Sequence, residues 1–168
     1  MKKGEIWISA VLYIGISIVV LGIILAASTP LINKAKDENT ITQTRQVMLE
    51  LDKVIRTIIG EGAGSQRVFS MEIRRGRMAI NEINDSIIWN IETKALVSEP
   101  GVTINIGNLQ LLQKEIGKET YDVSLKLEYG NIADIFSKEA TIVGRRDLII
   151  LNNESVPGKL PKIVITSR

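Results

Sequence analysis

Few residues in this chain are of types, and at spacings, that could do chemistry. Gly60-Glu61-Gly62-Ala63-Gly64-Ser65 has the alternating glycines of a loop that could cradle phosphate. A dinucleotide loop, however, follows a strand and opens a helix, whereas this one follows a helical pattern and leads into strands. Two basic clusters, Arg74-Arg75-Gly76-Arg77 and Arg145-Arg146, could meet an anion, yet each adjoins a turn-like stretch and reads first as a solvated tip. Asp122, Glu128, Asp134 and Asp147 lack calcium-loop spacing. Ser137-Lys138 are adjacent, which does not suit a Ser–Lys nucleophile on a helix. With no Cys and no His in 168 residues, thiolate chemistry, Ser-His-Asp relays and His- or Cys-based zinc sites are excluded. The sequence therefore predicts no enzyme, no cofactor and no metal.

Charge narrows the partners. The 21 Lys+Arg against 19 Asp+Glu leave a formal charge of +2, too small to make nucleic acid a primary partner. Seven aromatics in all leave little for base stacking.

The elements that would position any site are unevenly distributed. Residues 6–27, IWISAVLYIGISIVVLGIILAA, carry no charge. As a helix they span roughly 33 Å, enough for a hydrocarbon core of about 30 Å. Ser9, Ser17 and Tyr13 are mild interruptions, because a serine hydroxyl can return its hydrogen bond to the preceding turn. Gly15 and Gly22 lie seven residues apart and so share a helix face. Lys2 and Lys3 before the run weakly favour a cytoplasmic N-terminus. Pro30 follows the run and predicts either a kink or the start of a new helix capped by Ser28 or Thr29.

Lys2-Lys3-Gly4-Glu5, leading directly into the apolar run, resembles the class III signal of archaeal type IV pilins and archaellins. The resemblance covers residue 2 to about residue 32. It implies that a prepilin peptidase cuts between Gly4 and Glu5 and that the apolar helix stays on the mature subunit. That helix would then pack with its copies, handled by pilus assembly machinery, into a filament core. It also implies a helix bent near a proline at the depth of Pro30. Archaeal pilins often carry Gln where Glu5 stands, and bacterial-type pilins carry Glu where Ser9 falls.

Beyond the run, Val47, Met48, Leu51, Val54, Ile55, Ile58 and Ile59 form one apolar stripe at helical period. Thr40 to Gln43 fits a capping box, which makes residues 33–41 a polar joint and residues 40–59 an amphipathic stalk. After Ser65 the period becomes two. Val123, Leu125, Leu127 and Tyr129 alternate with polar residues, and residues 68–73, 87–91, 102–106, 148–151 and 163–165 also read as strands. Residues 109–118 and 132–139 suit a short helix or a strand equally.

The predicted fold is α+β: a long N-terminal helix kinked near Pro30, then an antiparallel, sandwich-like β domain. The predicted layout is a leader at 1–4, a helix at 5–59 with its membrane segment at 6–27, a Gly-rich joint at 60–65, and an extracellular domain at 66–168. Asn84-Asp85-Ser86 and Asn153-Glu154-Ser155 match the glycosylation acceptor pattern. Together with the resemblance, these features point to a structural subunit of a surface filament, held in the membrane before assembly. A single-pass anchor displaying a β-rich binding module, or a minor pseudopilin, would share most of them.

Overall fold

The computed structural model describes residues 3–154 and 158–168. The chain divides into two compact units, residues 1–36 and 37–168. The first contains only part of one element, α1 (Lys3–Glu61), whose remainder opens the second. The α+β class with a long N-terminal helix and a β domain is as expected; the polar joint is not found, and of the two readings of Pro30 the new helix falls. Residues 33–41 are helical rather than a joint, so Thr40 sits mid-helix, where its carbonyl accepts the Thr44 hydroxyl at 2.9 Å. Pro30 lies inside α1. It begins no new helix, and the Ser28 and Thr29 hydroxyls cap nothing. They donate back to the carbonyls of Ile24 and Leu25, at 2.7 and 2.9 Å. Proline cannot donate to the carbonyl four residues earlier; the rest of the α1 ladder runs on around that gap.

Within the second unit, α1 buries Ile41, Thr44, Met48, Leu51, Ile55 and Ile58. Their spacing alternates three and four, which keeps one narrow stripe on one face. Val47, Val54 and Ile59 flank it half-buried. Each fully buried Leu, Ile or Met contributes about 1.5–3 kcal/mol, so this stripe is the main force docking the helix to the sheet.

The strands are β1 (Gln66–Asn81), β2 (Ser86–Thr93), β3 (Thr103–Ile106), β4 (Leu109–Gly117), β5 (Thr120–Glu128), β6 (Asp134–Ser137), β7 (Thr141–Glu154) and β8 (Lys162–Ser167). They form one eight-stranded sheet in the order β3-β4-β5-β2-β1-β7-β8-β6. Residues 109–117 and 134–137 resolve as strands. The sheet is mostly antiparallel as expected, with β6 pairing β8 in parallel at its end, and the strands join one sheet rather than the two of a sandwich. β7 lies between the two strands in sequence and takes β8 as its own antiparallel neighbour on the other side.

Register builds the core in rows. Leu111, Leu125, Trp89, Met78 and Ile142 are successive cross-strand partners, all buried. Leu109, Leu127, Ile87 and Ile80 make a second row. In β1 the inward residues are Met71 and Ile73, then Met78 and Ile80, so the phase changes from odd to even. A bulge between Ile73 and Met78 absorbs the extra residues. Gly76 sits in it at φ +78°, and a Cβ there would lie 2.0 Å from the Asn90 carbonyl oxygen.

Candidate functional site

The apolar half of α1 is the part of the chain for which the fold gives no internal use. It belongs to a segment long and apolar enough to cross a membrane. Trp7 and the large apolar side chains from Val11 to Leu25 are 48% to 75% exposed. The polar groups within it are self-satisfied: the Ser17 hydroxyl donates to the Tyr13 carbonyl at 2.7 Å. In hydrocarbon such internal bonds remove the cost of carrying hydroxyls. Gly15 and Gly22 share a face, and nothing lies within 4 Å of where a Cβ would stand at either. A glycine on such a face lets another helix backbone approach closely at that point. The residues that resemble a leader junction fall at the helix start. Lys2 lies outside the described residues, while Gly4 and Glu5 belong to the backbone of α1.

Polar tethers hold the other half of α1 to the sheet. The Asp37 carboxylate pairs with Arg75 and accepts bonds from the Thr93 hydroxyl and the Lys94 amide, both at 3.1 Å. Burial raises its pKa, but the Lys94 amide, Arg75 and Thr93 outweigh that and hold it below the ordinary value. About four turns further along, Asp52 accepts Arg56 Nε and Asn108 Nδ2, each at 3.0 Å. Tyr129 is buried facing Asp52 without meeting hydrogen-bond geometry. Burial first, and the Asp52 charge second, hold its proton on well above the usual phenol range.

At the helix end, the Gly-rich stretch is tied down rather than a free joint. Gly62 and Gly64 take positive φ, and the Ser65 hydroxyl donates to the carbonyls of Ile58 and Gly62 at 3.0 and 2.7 Å. Asn152 closes the corner: its carbonyl accepts the Gly64 amide at 2.8 Å, and its own amide donates to the Ser65 carbonyl at 3.0 Å. This is glycine at a helix C-cap, where a left-handed residue lets the chain return donors to the last carbonyls, the Gly62 amide reaching that of Ile58 at 3.2 Å.

Several of the residues singled out for possible chemistry are engaged structurally. Arg74 pairs with Glu72 at 3.2 Å, and Arg75 also donates to the Glu92 carbonyl at 3.1 Å. Arg145 stands opposite Glu72 across β7 and β1. The Ser137 amide donates to Glu82 at 2.8 Å, and its hydroxyl donates to the Glu139 carbonyl at 2.8 Å. Glu128 bonds Lys126, which holds its carboxyl below the usual range, and accepts Gln110 at 3.1 Å. Among the described residues no group of three or more Asp or Glu is placed to hold a metal ion. Asn84 and Asn153 are both exposed. Ser86 of the first acceptor pattern is buried in β2, and Ser155 of the second lies outside the described residues.

Sequence reading did not find Asp37, Asn108 or Gln113. Gln113 is fully buried, accepts the Val97 and Ser98 amides at 3.0 and 2.9 Å, and donates to the Ala95 carbonyl at 3.1 Å. Its one local signal is a polar residue standing in phase with Leu109 and Leu111. The chain matches no protein-family model, no curated protein and no solved structure.

Proposed function

We propose that this chain is a structural subunit of an archaeal type IV pilus-like surface filament, assembled through the apolar part of α1. One observation carries the reading: a single helix is built for two solvents. Its residues from 41 to 58 bury an apolar stripe in the β domain, while residues 7 to 25 leave large apolar side chains exposed along an uncharged run. Such a surface is stable in lipid or against copies of itself, and not in water. The Gly15 and Gly22 face supports helix-on-helix packing. The Gly4–Glu5 junction supports cleavage by a prepilin peptidase. Cleavage would place a new α-amino group and the Glu5 carboxylate at the head of an apolar helix, where charges persist only if paired. The β domain then faces outward, which makes Asn84 and Asn153 candidate acceptors for glycan.

Immunogold electron microscopy of native cells, with an antibody raised against the β domain, tests the reading. Gold along the length of surface fibres is the expected result. Gold confined to fibre bases would assign a minor pseudopilin. Diffuse membrane label without fibres would assign a single-pass anchor, and the filament role would then fall.

A further inference from the structure

The two edges of the sheet are treated differently. At one end β6 begins with Asp134 and is followed by Lys138 and Glu139, with the Lys162 ammonium 3.9 Å from the centre of the Phe136 ring. Charges at an edge discourage further strands from adding. At the other end β3 is bonded to β4 on one side only. Its four residues, Thr-Ile-Asn-Ile, are neutral and largely β-branched. From Pro100 to Gln113 the chain holds no charged side chain, the longest such run in the β domain. Val102 and Ile104 are 45% and 40% exposed. No lysine, proline or bulge lies within β3 to blunt it. In an antiparallel ladder alternate residues turn their N–H and C=O away from the partner, so the outer side of β3 presents a row ready to pair.

We propose that the β3 edge docks on the β3 edge of a second copy of this chain, as a two-fold antiparallel strand pair. The composition selects this occupant. A self-pairing surface sets each side chain near copies of its own neighbours, and a neutral strand does this without like-charge repulsion in any register. Four residues bury too little area for a stable dimer in dilute solution. They suffice when the copies are already concentrated, and a shared membrane or fibre supplies that concentration. This step rests on the proposed role of the apolar helix. The contact is therefore weak alone and real only in the assembled state, joining neighbouring β domains outside the helical core.

Because the chain has no cysteine, introduced thiols report the contact directly. Two-fold antiparallel pairing puts one residue opposite its own copy. Full-length chains carrying Ile104→Cys or Asn105→Cys, in native membranes under mild oxidation, are compared with Ser137→Cys on β6. All three sites are outside the buried core. The expected result is a disulfide-linked dimer from at least one β3 position, several-fold above Ser137→Cys, lowered to that control when Thr103→Lys is added. Equal yields at the two edges would overturn the proposal, as would linkage to a different protein. Counting fibres in the same samples separates the two readings. Normal fibres without β3 linkage sink the edge contact alone, whereas β3 linkage without fibres keeps the contact and sinks the filament.

Discussion

Asp37 and Arg75 form an ion pair that ties α1 to the bulge of β1. The carboxylate also takes the Thr93 hydroxyl and the Lys94 amide, so two separate stretches of chain converge on one side chain of α1. Arg75 is held in turn: its carbonyl accepts Trp89 Nε1 at 3.1 Å, beside Gly76. Asp37 is also where the second compact unit begins.

Asp37→Asn keeps the side chain's shape but removes the charge. At neutral pH the expected loss is about 1–2 kcal/mol. Asp37 titrates below its ordinary 3.8 in the folded chain. Its charge therefore stabilises the fold above the unfolded value, and that contribution fades as pH falls through the folded one. Denaturant unfolding of the detergent-solubilised chain should show a gap between wild type and variant at pH 7 that shrinks towards pH 3. A gap independent of pH would contradict the pairing.

Gly76→Ala should be among the most damaging single-methyl changes. Strain from a positive φ costs about 1–3 kcal/mol, and the 2.0 Å approach to the Asn90 oxygen demands backbone movement on top. Gly144 also has positive φ, but nothing lies within 4 Å of its Cβ position. Gly144→Ala should therefore cost only the strain, and thermal unfolding of the two variants side by side measures the difference.

The two halves of α1 should answer truncation in opposite ways. Leu51 is fully buried, so Leu51→Ala should cost about 2–5 kcal/mol of fold stability. Leu25 is 61% exposed, so Leu25→Ala should leave unfolding of the β domain unchanged. Circular dichroism on denaturation distinguishes them. Equal destabilisation would mean that the exposed half supports the fold after all.

Much of this was legible locally. Val123, Leu125 and Leu127 announce β5 because only one face of that strand is buried. The stripe on α1 is readable for the same reason at helical period. β4 was ambiguous because Gln113 takes an inward place that pattern reading reserves for apolar residues, its amide being satisfied by a loop sixteen residues away. Residues 33–41 read as a joint because most carry no apolar periodicity, yet a helix already begun on both sides needs none to continue. The Asp37 tether joins residues 38 and 56 positions apart, and no local pattern encodes such a meeting. For the candidate site, the uncharged run and its glycines stand in the sequence, whereas the contrast between the two sheet edges needs the strand order.

Gly15 and Gly22 offer a clean separation of folding from assembly. Neither faces any atom within 4 Å, so larger side chains fit within one chain. Replacing both with Leu should leave the β domain's unfolding unchanged while abolishing fibres, scored by electron microscopy of sheared cell surfaces. Normal fibres from that variant would remove close helix packing from the mechanism.

The most direct measurement is the intact mass of the chain recovered from surface fibres of its native source. A mature chain that starts at Glu5 and retains residues 6–27 is the expected result. A chain found in membranes alone with Lys2 and Lys3 intact, or one released without the apolar helix, would contradict assembly through that helix.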